Sequence, residues 1–270
     1  MKEFTKGRPF SGRPRQAKPA RNDQNMLIGM RPLAEAIAAS KTFDKVLVQK
    51  GLRGELFKEV RQLLQDNGIP FQLVPEEKLN RITSRLHQGI IAFLSPIEFG
   101  DVSECLAAVY EKGEIPKFLM LDGVTDVRNF GAICRTAEAL GFDVVIVPEK
   151  SSAAINEDAI KTSAGALFNI PVCRTGSMIN TAKFLQEGGL KLMAASEKGS
   201  TLPHEIDLTG PICVIMGNEE KGISNELIRL SEELVTIPMF GKTQSLNVSV
   251  AAGILMYEIN RQRLTTISDL

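Results

Sequence analysis

Three stretches in the second half of this 270-residue chain place polar side chains where apolar strands give way to helices. The last, IPMFGKTQSLNVSVAAGILMYEINR, runs from Ile237 to Arg261. A turn punctuated by Pro238 and Gly241 leads through Ser245, Asn247 and Ser249 into an apolar segment of helix-forming length. A helix start explains one of these polar residues as a cap, but three in alternation ask for a further partner. Side-chain amides, hydroxyls and free main-chain amides at the mouth of a buried helix suit a bound small molecule.

The stretch from Leu121 to Gly141 leaves an apolar strand through a polar loop and enters a helix near Asn129, which is placed to cap it. Arg135 follows within the first turns, where the helix dipole does not favour a cation. A surface ion pair is the plain alternative for Arg135. The stretch from Pro211 to Ser224, PICVIMGNEEKGIS, ends a strand at Gly217 and continues through Asn218, Glu219, Glu220, Lys221 and Gly222. Ser224 then caps the helix NELIRLSEEL. Gly217 and Gly222 would let the main chain approach a ligand closely, although an ordinary strand-to-helix turn explains the loop equally well. No GxGxxG, GxxxxGK[ST] or GxSxG pattern is present. His204 reads as a surface residue rather than a base.

From Lys117 the strands that must position these loops are nearly all apolar: FLMLDGV, DVVIVP, LKLMAAS, PICVIMG and VTIPM. Such strands separated by helices predict an α/β domain with a parallel sheet covered on both faces, over residues 117–270. Ligands then belong outside the carboxyl ends of its strands. Residues 26–97 alternate helical and strand-like segments and predict a small α/β unit of their own. Pro96 and Gly100 mark a boundary, and residues 98–116 read as a linker carrying a helix.

Residues 1–25 are rich in Gly, Pro, Arg and Lys and too poor in apolar groups to offset the entropy of ordering, so a disordered basic tail is expected. Seven basic residues against Glu3 give residues 1–21 a net charge of +6, residues 26–97 carry +3, and residues 98–270 carry −8. A neutral total therefore hides a basic front end and an acidic back end; the tail reads either as an arm that grips RNA through counterion release or as a solvated segment with no task. The hydrophobic fraction of 43% supports a core. No signal peptide or membrane-length apolar run is recognisable, so a soluble cytoplasmic chain is expected. Cys105, Cys134, Cys173 and Cys213 form no CxxC pair, and with His87 and His204 as the two histidines no metal site is expected.

Taken together and in order, the three stretches resemble the signature motifs of the SpoU (TrmH) branch of the SPOUT RNA methyltransferases, over about residues 117–263. Through IGMRPLAEAI and HQGIIA the front unit is similar to the L30e-like domain that precedes the catalytic domain in 23S rRNA guanosine 2′-O-methyltransferases. The resemblance implies a trefoil-knotted SPOUT domain with S-adenosyl-L-methionine held in the knot. It also implies a homodimer whose active site is completed across the interface. The implied substrate is RNA, a guanosine ribose of 23S rRNA. A tRNA guanosine or an rRNA adenosine is the alternative, as is a non-catalytic role in RNA binding or ribosome assembly.

By the same resemblance Asn129, Arg135, Glu219, Ser245 and Asn247 are catalytic, while Met216, Gly217, Ile237, Met239 and Leu246 hold the cofactor. Gly222, Pro238 and Ser249 also match the motifs, whereas Val127–Arg128 stands where many relatives have Pro and a neighbour. The resemblance assigns the hydroxyl proton to Arg135, from either subunit. A guanidinium normally stays protonated, so the alternative is that Arg135 orients the hydroxyl and phosphate while another group takes the proton.

Overall fold

The alternating segments condense into two sheets in the computed structural model, which describes residues 25–243 and 245–268. The basic tail expected over residues 1–25 lies, but for Asn25, outside the described residues. The front unit runs β1 (Met26–Ile28), α1 (Met30–Ala38), β2 (Phe43–Gln49), α2 (Glu55–Asp66), β3 (Phe71–Val74), α3 (Glu76–Ile82) and β4 (Ile90–Leu94). Its strand order is β1-β4-β2-β3. Successive strand residues point to opposite faces. Val46 and Val48 accordingly meet Leu33 and Leu64 of the first two helices, while Leu47 meets Leu79 of α3. At the start of β2 the register slips from Phe43 opposite Leu94 to Lys45 opposite Phe93. Asp44 is the extra residue of this bulge, left without a ladder partner.

The larger unit begins earlier than the expected boundary. It comprises β5 (Phe99–Gly100), α4 (Val102–Glu111), β6 (Lys117–Asp122), α5 (Val127–Ala139), β7 (Val144–Pro148), α6 (Glu157–Thr162) and β8 (Val172–Thr175), then α7 (Met178–Glu187), β9 (Lys191–Ala195), β10 (Ile212–Gly217), α8 (Asn225–Leu230), β11 (Glu233–Val235) and α9 (Val248–Ser268). Residues 98–116, expected as a linker, supply the sheet's edge strand β5, and Leu106 and Val109 of α4 are buried in its core. Strand β8 was not expected, because half of it is Arg174 and Thr175. The strand expected over VTIPM ends at Val235, two residues before Ile237, where the chain turns away ahead of Pro238.

The seven strands lie in the order β11-β9-β10-β6-β7-β8-β5 and pair in parallel. Both faces are covered. Phe118 and Met120 of β6 enter one apolar cluster, while Leu119 and Leu121 enter the other. Full burial of side chains this size stabilises by about 1.5–3 kcal/mol each. The second cluster is closed by α9, whose Ala252, Leu255, Met256 and Ile259 are completely buried at helical spacing.

From β6 the chain steps through β7 to β8 on one side, then crosses to build β9, β10 and β11 on the other. Strand β10 returns beside β6 and sets Gly217 opposite Asp122. This reversal opens a crevice at the carboxyl ends of the two strands, where α/β sheets bind ligands. The chain from β10 must also pass β9 to reach the edge. Gly199 permits that crossing, since a Cβ there would lie 2.6 Å from the Leu234 carbonyl oxygen. No helix among the described residues is long and apolar enough to cross a membrane.

Candidate active site

Three loops meet at the crevice between β6 and β10. The first follows Asp122 and enters α5. Asp126, not Asn129, caps that helix: its carboxylate accepts hydrogen bonds from the Arg128 and Asn129 amides at 2.9 and 2.8 Å. The cap thus falls three residues earlier than expected, and Asn129 lies within the first turn with its side-chain amide not engaged in capping. Its Nδ2 donates to Glu219 Oε1 at 2.9 Å.

Glu219 sits at the tip of the second loop, an exposed turn closed on itself. The Asn218 and Gly222 amides each donate to the other's carbonyl, at 3.0 and 2.9 Å. Asn218 Oδ1 accepts from the Glu220 and Lys221 amides, and its Nδ2 donates to the Gly123 carbonyl at 2.7 Å, tying the second loop to the first. Asn218 is therefore a positioning residue for Glu219. Its role was legible as an Asx turn, a local habit of Asn before a tight turn.

Gly217 has a reason other than close approach to a ligand. A Cβ there would lie 2.3 Å from the Gly222 carbonyl carbon, so the chain itself fills the space. Gly222, with φ of +70°, takes a left-handed conformation. Ser224 occupies the position before α8 without a side-chain capping bond. Instead its amide donates to Asp122 at 2.7 Å.

The third loop joins β11 to α9. Asn247 caps α9, accepting from the Ser249 amide at 2.9 Å and the Ser249 hydroxyl at 2.6 Å. Its Nδ2 donates to Asn129 Oδ1 at 3.0 Å. Asn129, Glu219 and Asn247 are thus joined in one chain of hydrogen bonds, with Asn129 in the middle. Ser249 serves Asn247, and Ser245 is exposed. Ile237 and Leu246 are half-buried, Met239 is exposed, and Met216 is 3% exposed within the core. The main chain of residues 237–242 makes no backbone hydrogen bond to another described residue, which leaves a strip of donors and acceptors in the third loop.

Arg135 stands apart from these three residues. It is exposed, six residues beyond Asn129, or about 9 Å along α5 and on a different face. Among the described residues it has no ion pair, so the surface salt bridge weighed for it is not formed there.

The SpoU rRNA methylase family model matches residues 116–257, more than half of the chain. This chain belongs to the SpoU rRNA methylase family. It is an RNA methyltransferase, and a second model, for RNA 2′-O ribose methyltransferase substrate binding, matches residues 26–100. Among relatives, a protein described as a TrmH family tRNA/rRNA methyltransferase of Staphylococcus saprophyticus is 33% identical over 241 residues, covering 89% of this chain and 97% of its own length. A tRNA/rRNA methyltransferase of Mycobacterium sp. strain KMS is 36% identical over 252 residues, covering 92% and 80%. The SpoU methyltransferase AviRb of Streptomyces viridochromogenes, solved in complex with AdoMet, superposes with a TM-score of 0.57 at 24% identity, covering 89% of this chain and 90% of that one. That likeness establishes the SpoU fold.

Proposed function

We propose that this SpoU member transfers a methyl group from S-adenosylmethionine to a ribose 2′-hydroxyl of RNA, with a guanosine of 23S rRNA as the target. The observation that carries the reading is the hydrogen-bonded set Asn129–Glu219–Asn247, gathered from three separate motifs at the reversal point of the sheet. Both relatives named above are described as tRNA/rRNA methyltransferases. The front unit, matched to a ribose methyltransferase substrate-binding model, favours a 2′-hydroxyl.

The free main-chain groups of residues 237–242 fit the hydrogen-bonding edge of an adenine, and Ile237, Met239 and Leu246 supply apolar surface for its face. The crossing of β11 past β9 is read as part of the trefoil that encloses this site. When bound, S-adenosylmethionine supplies an electrophilic methyl group on a sulfonium. Glu219 accepts a hydrogen bond from the ribose hydroxyl, and Asn129 holds that carboxylate in place. Ser245, exposed at the lip, is within the same loop and adds a second polar contact. Arg135, remote from its own Asn129, serves the site of a second subunit, where it contacts phosphate and hydroxyl. A homodimer is supported by the exposed row Val250, Ile254, Tyr257 and Leu264 on α9.

The test is direct. Purified protein, a 23S rRNA transcript and isotope-labelled methyl donor should yield one 2′-O-methylated guanosine by mass spectrometry. Transfer to tRNA alone would move the substrate. Absence of both transfer and donor binding in calorimetry would support the non-catalytic role.

A further inference from the structure

The extra residue in β2 has a partner in the other unit. Asp44 Oδ1 and Arg174 of β8 form an ion pair at 3.1 Å, with their side chains 11% and 9% exposed. The bulge makes this possible, because it turns Asp44 and two carbonyls out of the ladder. Arg174 donates to the Phe43 and Asp44 carbonyls at 3.2 and 3.0 Å. Asp44 Oδ1 also accepts from the Ile155 amide at 3.2 Å. Beneath the guanidinium lies the ring of Phe99, with its centroid 3.7 Å away.

Four hydrogen bonds therefore join the two units at one point. Burying both charges carries a desolvation cost that an ion pair roughly offsets, so such a pair adds little net stability while strongly preferring one geometry. Arg174 Nε is buried without a hydrogen-bond partner, which leaves the guanidinium's satisfaction dependent on the groups around Asp44. Strand β8 lies two strands from β6, about 10 Å across the sheet from the crevice.

We infer that the Asp44–Arg174 pair is a latch that holds the front unit at one angle to the carboxyl edge of the large sheet. An RNA seated on the front unit then presents its ribose to Asn129, Glu219 and Asn247. Asp44 and Arg174 are positioning residues for transfer, and the inference rests on the RNA ribose reading above.

Asp44→Asn keeps the shape and the acceptor oxygen but removes the charge, and Arg174→Lys cannot reach both carbonyls and the carboxylate together. Phe99→Leu removes the supporting ring and serves if either of these fails to fold. Small-angle scattering of the full chain should show a longer maximum dimension in each folded variant. kcat/KM for a 23S rRNA transcript should fall at least about tenfold. Donor affinity should be unchanged, as should kcat/KM for a short hairpin cut from around the methylated nucleotide. Unchanged scattering together with unchanged kcat/KM for the transcript overturns the latch. So does an equal loss on transcript and hairpin, which would mark damage to the catalytic unit. If the parent protein methylates no RNA, the functional reading fails, and the scattering comparison alone decides the latch.

Discussion

Asn247 Nδ2 lies 3.0 Å from Asn129 Oδ1, while its own Oδ1 accepts the Ser249 amide at 2.9 Å, so one side chain both starts α9 and ties the third loop to the first. The two tasks use different atoms and can be separated. Asn247→Asp keeps the acceptor that caps the helix but loses the donor to Asn129. Asn247→Ala loses both, and a lost cap costs about 1 kcal/mol. Calorimetric melting should therefore drop by about 2–4 °C in the alanine variant. It should drop less in the aspartate variant, which keeps the cap and gives up only the bond to Asn129, while both lose methyl transfer by at least about tenfold. Equal melting of the two variants would show that the cap contributes nothing.

Arg135 faces away from the residues it is proposed to work with. Arg135→Ala should retain donor affinity and lose about 10²-fold in turnover. Mixing it with Asn129→Ala should restore activity, because a mixed dimer holds one site with both residues intact. For free exchange between two-fold symmetric dimers the recovery is about a quarter of the parent rate. No recovery on mixing would place both residues in one protomer's site.

Gly217 leaves no room for a side chain, with its Cβ position 2.3 Å from the Gly222 carbonyl carbon. Gly217→Ala must displace the turn that carries Glu219. Overpacking of this kind costs about 1–3 kcal/mol. The variant should melt lower and bind the methyl donor more weakly in titration calorimetry. Donor affinity and melting both equal to the parent's would mean that the turn relaxes freely.

How much of this was readable in the chain depends on how much each element relies on distant partners. The apolar runs Phe118–Leu121 and Ile212–Met216 declare themselves, because burial on both faces leaves no polar position in them. Strand β8 does not: Val172–Thr175 is half polar, and it is a strand because β7 and β5 flank it. The cap of α5 was misplaced for a similar reason. Asp126 and Asn129 are both good caps three residues apart, and only geometry chooses between them. Gly217 was recognisable as a constrained position, yet the sequence cannot say that the constraint is the chain's own turn. Of the alternating Ser245, Asn247 and Ser249, Asn247 is the one that bonds to Asn129, and Ser249 bonds to Asn247. The latch at Asp44 left no trace in the sequence, since a bulge is a property of two strands.

The cysteines give a pH dependence with a definite sign. Burial pushes the Cys134 and Cys213 thiols well above their ordinary value of 9.0. Above pH 9 the unfolded chain releases these protons while the native chain keeps them, so the native state binds more protons and stability falls as pH rises. Each thiol should cost about 1.4 kcal/mol by pH 10. Urea unfolding at pH 8 and pH 10 should show a smaller alkaline loss in Cys134→Ala and Cys213→Ala than in the parent. Identical losses would assign the effect to other groups.

Helix α9 is fastened at both ends. Its head is held through Asn247. Its tail is pinned at the opposite edge of the sheet, where Arg263 donates to the carbonyls of Ile115, Pro116 and Gly210, and Asn260 to that of Leu140. The helix is in effect a tie rod of fixed length, about 24 Å from Asn247 to Arg263. One residue inserted between the anchors would rotate one end by about 100° relative to the other and release Asn129 or the tail. The geometry of the Asn129–Glu219–Asn247 set is therefore gauged from the other end of the sheet, by carbonyls remote from all three residues.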